Sequence, residues 1–317
     1  MYKVLITGSN LPYKEEEVKI FEGVAEVIIA EPVDRNELLE LVKEVDAILT
    51  DTTKIDKELL STATKLRVIC EYGIGTDNID VEAATQLGIL VCNVPNAYIR
   101  EVAEHAIALT LILLRDIHRA SYDVMQRCIW DFNRYQPKRI VNQVMGLIGL
   151  GKIGREVASL ACKLGMQVIG YDPYITSPID GVELVSFEKV LRSSNILSIH
   201  VPLTSETKHL ISHKEFLLMQ DGVIIINVSR GGIIDEKALF EQIQKGKVGG
   251  AGLDVLEVEP ITSDHPFRKC ERIIITPHMA WKSEQSVRLL ELTAAKQVRD
   301  VLLGKPPLYP VNSVFKG

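Results

Sequence analysis

The sequence predicts two doubly wound α/β domains with parallel sheets, one inserted into the other. Three observations carry this. At 317 residues the chain exceeds the length at which one core usually stops growing, about 250 to 300 residues. Short β-rich runs alternate with helical patterns along its whole length, which implies parallel sheets with helices on both faces. The runs also fall into two series, and the helix that closes the chain is too long to be only the last turn of the second.

The first series reads KVLIT (3–7), AEVIIA (25–30), DAILT (46–50), KLRVIC (65–70) and GILVCN (88–93). Between the second and third, Leu38, Leu41, Val42 and Val45 recur at helical spacing behind Asp34, a helix-capping residue type. The second series reads VMGLIGL (144–150), QVIGYD (167–172), NILSIHV (195–201), GVIIINV (222–228), GGAGLDV (249–255) and RIIIT (272–276). The closing helix, in SEQSVRLLELTAAKQVRDVLLG, is expected to return and pack on the first domain. We therefore expect one domain from residues 1–96 and 285–317, another from 97–284, and a reaction crevice between them.

Composition narrows the function classes. Apolar residues make up 46% and charged residues 25%, as in an ordinary folded protein, and the net charge of −6 leaves no basic surface for nucleic acid or anionic lipid. Arg127, Arg134, Lys138 and Arg139 gather only as a solvated loop is expected to gather them. Five scattered cysteines with no CxxC pair fit reduced thiols rather than a disulfide framework or a zinc site. The opening MYKVLIT carries Lys3 and reads as a strand rather than a leader. AIALTLILL (106–114) is about half a membrane span and reads as a helix buried between the domains. A cytoplasmic protein with no membrane partner is the expectation.

Gly149, Gly151 and Gly154 form a GxGxxG between a strand and a helix. The first glycine allows the tight turn, the second lets the backbone approach a pyrophosphate, and the third allows close helix–strand packing. Asp172 ends the following strand, where a carboxylate accepts hydrogen bonds from an adenosine ribose and repels a 2′-phosphate. These residues point to a Rossmann-like domain that binds NAD. Arg230, Asp254, Glu259 and His278 lie beyond the ends of three later strands, which face the ligand crevice in such a sheet. Singly, each of Arg230, Glu259 and His278 reads equally well as an ion pair, a solvated group or a turn residue.

Seven blocks in order resemble the D-isomer-specific 2-hydroxyacid dehydrogenases across nearly the whole chain: YGIGTDNID, LGILVCNVPNAYIREVAEHAIAL, GLIGLGKIG, HVPLTSETKHLI, NVSRGGIIDEKAL, GAGLDVLEVEP and TPHMAW. The HMAWKSEQS stretch is most similar to the C-terminal-binding-protein branch, then to glycerate dehydrogenases. The resemblance implies that Arg230 binds the carboxylate of a 2-oxo acid, that His278 is the general acid as NADH gives its hydride to C2, and that Glu259 pairs with that histidine. It places Lys152 and Ile153 on the pyrophosphate with Thr207 nearby, and Val228, Ser229 and Asp254 around the nicotinamide and its ribose. It makes Gly73, Ile74 and Gly75 a loop whose amides hold the substrate carboxylate. His200 would shape the cofactor channel without reacting, and Trp281 would stand beside the substrate tail or simply pack.

The chemistry agrees with that assignment. Hydride addition builds negative charge on oxygen, so a nearby cation and a proton donor both lower the barrier. A carboxylate beside His278 favours the imidazolium and keeps it acidic near neutral pH. No metal is expected, since His209 and His213 lack a third ligand.

Glu71 departs from the pattern, standing where relatives often carry a basic residue. Two readings stay open: it repels phosphorylated or dicarboxylic substrates, or it is paired and points away. The segment from Arg127 to Val144 lacks the usual glycines of a stretch that reaches a partner subunit, so a homodimer with a remodelled contact is expected. With no domain after residue 317, end-product control of the long serine-pathway type is not expected. The leading expectation is an NAD-dependent D-2-hydroxyacid dehydrogenase running mainly as a reductase. A short 3-phosphoglycerate dehydrogenase and an NAD(H)-sensing binding protein of the corepressor type stand beside it. The latter branch keeps the same three residues, but no appended partner-binding tail is seen here.

Overall fold

Central strands of a parallel sheet are covered on both faces, and the runs above show it: Ala47–Thr50, Ile196–Ile199 and Val223–Asn227 are buried at every position. The computed structural model describes residues 1–9, 11–30 and 34–314. It divides into two compact units, Met1–Tyr98 with Lys282–Gly317, and Ile99–Trp281.

In the first unit β1 (Tyr2–Thr7), α1 (Lys14–Ile20), β2 (Ala25–Ala30), α2 (Arg35–Leu41), β3 (Ala47–Thr50), α3 (Lys57–Thr62), β4 (Val68–Glu71), α4 (Val81–Gln86) and β5 (Leu90–Cys92) follow in chain order. All pairings are parallel and the sheet order is β2-β1-β3-β4-β5, a doubly wound order of the flavodoxin type. Asp34 caps α2 by accepting from the amides of Asn36 and Glu37, and Asp56 and Asp80 cap α3 and α4 in the same way. KLRVIC begins as strand only at Val68, because a turn precedes it: Leu66 N–H donates to Ala63 and Arg67 N–H to Asp46.

The second unit contains α5 (Ile99–Leu114), α6 (Ile117–Arg127), β6 (Val144–Ile148), α7 (Lys152–Lys163), β7 (Gln167–Tyr171), β8 (Glu183–Leu184), α8 (Phe187–Ser193), β9 (Ile196–Ile199), α9 (His213–Leu218), β10 (Val223–Asn227), α10 (Glu236–Gln244), β11 (Val248–Leu253) and β12 (Ile273–Ile275). Its parallel sheet runs β12-β11-β10-β9-β6-β7-β8. Strand order reverses between β6 and β9, the switch point at which such sheets bind ligands. A continuous apolar core fills this unit around Phe216, Leu239 and Ile225.

The apolar run Ala106–Leu114 is a layer of that unit. Within α5 it lies on β10 and β11 and beside α7, and glycine at 250 and 252 lets it come close. A Cβ on Gly252 would sit 2.9 Å from Leu109. The basic residues Arg127, Arg134, Lys138 and Arg139 are all exposed, but two of them are ion-paired, which the sequence did not suggest. Arg127 pairs with Asp123 at 2.9 Å and Glu271 at 2.5 Å, while Arg134 and the Tyr135 hydroxyl also reach Asp123. The carboxylate of Asp123 is buried while both arginines stay exposed above it, a partner that local charge counting could not reveal. Finally α11 (Glu284–Leu302) packs on α1, β3 and β4 of the first unit, opened by a Ser283–Ser286 capping box.

Candidate active site

A glycine turn joins β6 to α7. Gly149 has φ 92°, open to glycine alone among common residues, and a Cβ there would lie 2.6 Å from the His200 carbonyl oxygen. Gly154 lies against the Gly149 backbone with no room for a Cβ, whereas a Cβ on Gly151 would meet nothing within 4 Å. The turn is thus closed where helix meets strand and open where a ligand's phosphates would approach. No side chain caps the first amides of α7, so its positive end is left for an anion. At the end of β7 the Asp172 carboxylate accepts from Leu150 N and Tyr174 N, both at 2.9 Å. Those two bonds orient it and leave acceptor capacity for a ribose diol. The cradle fits a dinucleotide.

Three loops of the same unit assemble the second group. His278 follows β12 with φ 50°, a left-handed conformation rare outside glycine. Asp254, at the end of β11 and 2% exposed, holds that turn in place. It accepts from the Thr276 hydroxyl at 2.5 Å, Met279 N at 2.9 Å and Ala280 N at 2.8 Å. His105 of α5 supports Thr276 through a 2.9 Å bond to its hydroxyl. On this platform His278 Nδ1 meets Glu259 Oε2 at 2.8 Å, while Glu259 Oε1 accepts Leu256 N. The hydrogen bond that His278 donates to Glu259 raises the His278 pKa, against a smaller opposing effect of burial. Burial pushes the Glu259 carboxyl up, but its bonds to His278 and Leu256 and the charges of His278 and Arg230 outweigh this and lower it. Arg230 follows β10, its carbonyl held by Asn227 Nδ2 at 2.9 Å and its guanidinium bonded to the Ser229 carbonyl. The structure therefore brings Arg230, Glu259 and His278 within electrostatic reach of one another.

In the first unit the 73–75 loop follows β4. Val94 N–H donates to the Gly73 carbonyl at 2.8 Å, and Asn93 Nδ2 to the Ile74 carbonyl at 2.8 Å. Both carbonyls are tied toward the end of β5, so the amides of Ile74 and Gly75 in the same trans peptides face away from it. Glu71 is buried and accepts from Asn78 Nδ2 at 3.0 Å. It is paired, yet it underlies the loop: a Cβ on Gly73 would be 3.9 Å from its Oε1.

The family model described as D-isomer specific 2-hydroxyacid dehydrogenase, NAD binding domain, matches residues 107–280, more than half of the chain. The chain belongs to this family. It is 39% identical over 310 residues to a D-3-phosphoglycerate dehydrogenase of Methanocaldococcus jannaschii, covering 96% of this chain and 58% of that one. It is 36% identical over 293 residues to a hydroxypyruvate reductase of Thermotoga maritima, covering 91% and 95%. A glyoxylate reductase structure from Paecilomyes thermophila superposes with TM-score 0.90 at 29% identity, covering 98% of each chain. The chain spans 56 to 59% of the length of the first three phosphoglycerate dehydrogenases it matches. The stretch that the family model describes as the NAD-binding domain falls within the second unit.

The remaining expected residues sit as follows. Lys152 and Ile153 open α7. Ser229 Oγ donates to the Ile199 carbonyl at 2.8 Å beside buried Val228, and Thr207 Oγ1 donates to Pro202 O at 2.6 Å. His200 has Nε2 on Ser198, and burial pushes its pKa down to about 4, so it is neutral at physiological pH. Trp281 Nε1 donates to the His278 carbonyl at 3.0 Å, which ties the indole to the histidine turn. His209 faces Glu257 rather than His213. Sequence reasoning assigned no role to Asn93, Tyr98, His105 or Thr276. All but Thr276 lie in the longest of the seven quoted blocks, where only their contacts single them out.

Proposed function

We propose that this protein is an NAD-dependent D-2-hydroxyacid dehydrogenase working chiefly as a 2-oxo acid reductase. The observation that carries the proposal is the 2.8 Å bond that His278 Nδ1–H donates to the Glu259 carboxylate, with the histidine pKa raised by it. When bound, NADH supplies the hydride. Glu259 occupies Nδ1 and leaves Nε2–H of the imidazolium as the proton donor for the oxygen on which charge builds. We assign the substrate carboxylate to Arg230 and to the amides of the Gly73, Ile74, Gly75 loop. Arg230 also polarises the adjacent carbonyl. Gly149, Gly151, Lys152, Ile153 and Gly154 are assigned to the pyrophosphate and Asp172 to the adenosine ribose. His200, Thr207, Val228 and Ser229 are assigned to the walls of the cofactor channel, and Trp281 to the substrate tail. Asp254, whose carboxylate is engaged by three donors, is assigned to holding the histidine turn beside the nicotinamide.

The phosphoglycerate dehydrogenase relatives favour a second reading, oxidation of 3-phosphoglycerate. The buried Glu71 carboxylate under the 73–75 loop weighs against a phosphorylated substrate, and the hydroxypyruvate reductase relative matches in length. Five free thiols support a cytoplasmic protein. NADH oxidation over glyoxylate, hydroxypyruvate, pyruvate, oxaloacetate, phenylpyruvate and 3-phosphohydroxypyruvate tests the proposal. Turnover is expected with at least one unphosphorylated acid, and His278→Gln should cut kcat by about 10²- to 10⁴-fold. Tight NADH binding with no turnover would sink the proposal in favour of an NAD(H)-sensing binding protein.

A further inference from the structure

Taking the 73–75 loop as the carboxylate site, a reading on which this inference rests, one of its two outward amides is already occupied. Ile74 N–H donates to the Tyr98 hydroxyl oxygen at 2.6 Å. The fit is close, since a Cβ on Gly73 would lie 3.2 Å from that same hydroxyl. Glycine at 73 therefore leaves the space into which the phenol reaches. The loop cannot turn to offer Ile74 N–H elsewhere, because Val94 and Asn93 hold both neighbouring carbonyls. Gly75 N–H is paired with no protein acceptor among the described residues.

We propose that Tyr98 is a specificity-determining residue whose hydroxyl stands in for a substrate carboxylate oxygen on the Ile74 amide and must be displaced by it. A neutral hydroxyl occupies this half-buried amide when no substrate is bound. A carboxylate makes a charge-assisted bond to the same N–H, roughly twice as strong, so a well-placed 2-oxo acid wins the exchange. Neutral analogues such as amides and alcohols do not. The buried Glu71 carboxylate beneath Gly73 acts in the same sense, lowering the loop's affinity for anions held by charge alone. The loop thus discriminates by requiring an acceptor stronger than a phenol.

The test is an amide titration of the NADH-bound protein with oxamate, an inert 2-oxo acid analogue. It uses ¹⁵N-isoleucine labelling, with the Ile74 resonance assigned by Ile74→Val. Removing the competing acceptor in Tyr98→Phe should lower the oxamate Kd by about fivefold. The KM for the preferred 2-oxo acid should fall in step, and Tyr98→Leu should behave alike. A Kd unchanged or raised in Tyr98→Phe, with the Ile74 resonance still moving on titration, overturns the role of Tyr98 and leaves the loop reading standing. An Ile74 resonance indifferent to oxamate in both proteins overturns the loop reading, and this inference with it.

Discussion

His278 is held in a left-handed backbone conformation that costs a non-glycine residue about 1 to 3 kcal/mol. Its surroundings must over-determine it, and Asp254 does so with three donors drawn from the turn itself. Replacing Asp254 by alanine strands the amides of Met279 and Ala280 and lets the turn relax. We expect kcat to fall about 100-fold, with NADH affinity, read by its fluorescence, changing far less. A loss confined to NADH affinity would instead make Asp254 a cofactor ligand. The same residues set the pH response of stability. The His278 pKa is raised on folding, so the ion pair's contribution is full below the ordinary value of 6.5 and is lost as pH rises through the folded value. Glu259 is lowered, so its share is lost only as pH falls through its own folded value.

At the scale of elements, the site depends on how closely the end of β10 meets the loop after β11. Gly231 lies against the backbone of Leu256 and Glu257 with no space for a Cβ. Glu236 and Glu257 then bond each other's amides reciprocally, at 3.1 and 2.7 Å, which locks the start of α10 to the loop that carries Glu259. Gly231→Ala should push that loop away, costing about 1 to 3 kcal/mol in urea unfolding at unchanged m. Activity should fall further than stability accounts for. Wild-type stability would show that the packing is slack. The β-rich runs of this region were legible in the sequence because buried parallel strands are continuous apolar stretches. The two-residue strand β8 was not, being too short to show a period. The α5 helix was legible as a buried apolar element, but its bed on β11 was not, since only three-dimensional register brings Leu109 over Gly252.

At the scale of the molecule, the order of seven motifs carried the family, while strand-end placement only marked Arg230, Glu259 and His278 as candidates and the resemblance supplied their roles. What one sequence hides is which side chains turn toward one another. The Tyr98 hydroxyl on Ile74 N–H and the Asn78–Glu71 bond join residues 24 and 7 positions apart through loop geometry with no periodic signature. Trp130 and Phe132 are 89% and 82% exposed just after α6, large apolar side chains of the kind that gather at interaction surfaces. We propose that a second copy covers it. Sedimentation equilibrium should give a dimer that Trp130→Glu weakens; a monomer at all concentrations would refute it. Among the described residues no helix is long and apolar enough to cross a membrane.

The central claim is that Glu259 tunes His278 as the proton donor. Its most direct test is kcat/KM for 2-oxo acid reduction against pH, in wild type and Glu259→Gln. The wild-type rate should fall with rising pH at a point above the ordinary histidine value of 6.5, as the imidazolium is lost at its raised pKa. In Glu259→Gln that falling limb should move to lower pH while NADH affinity stays put. A limb at the same pH in both proteins would contradict the account.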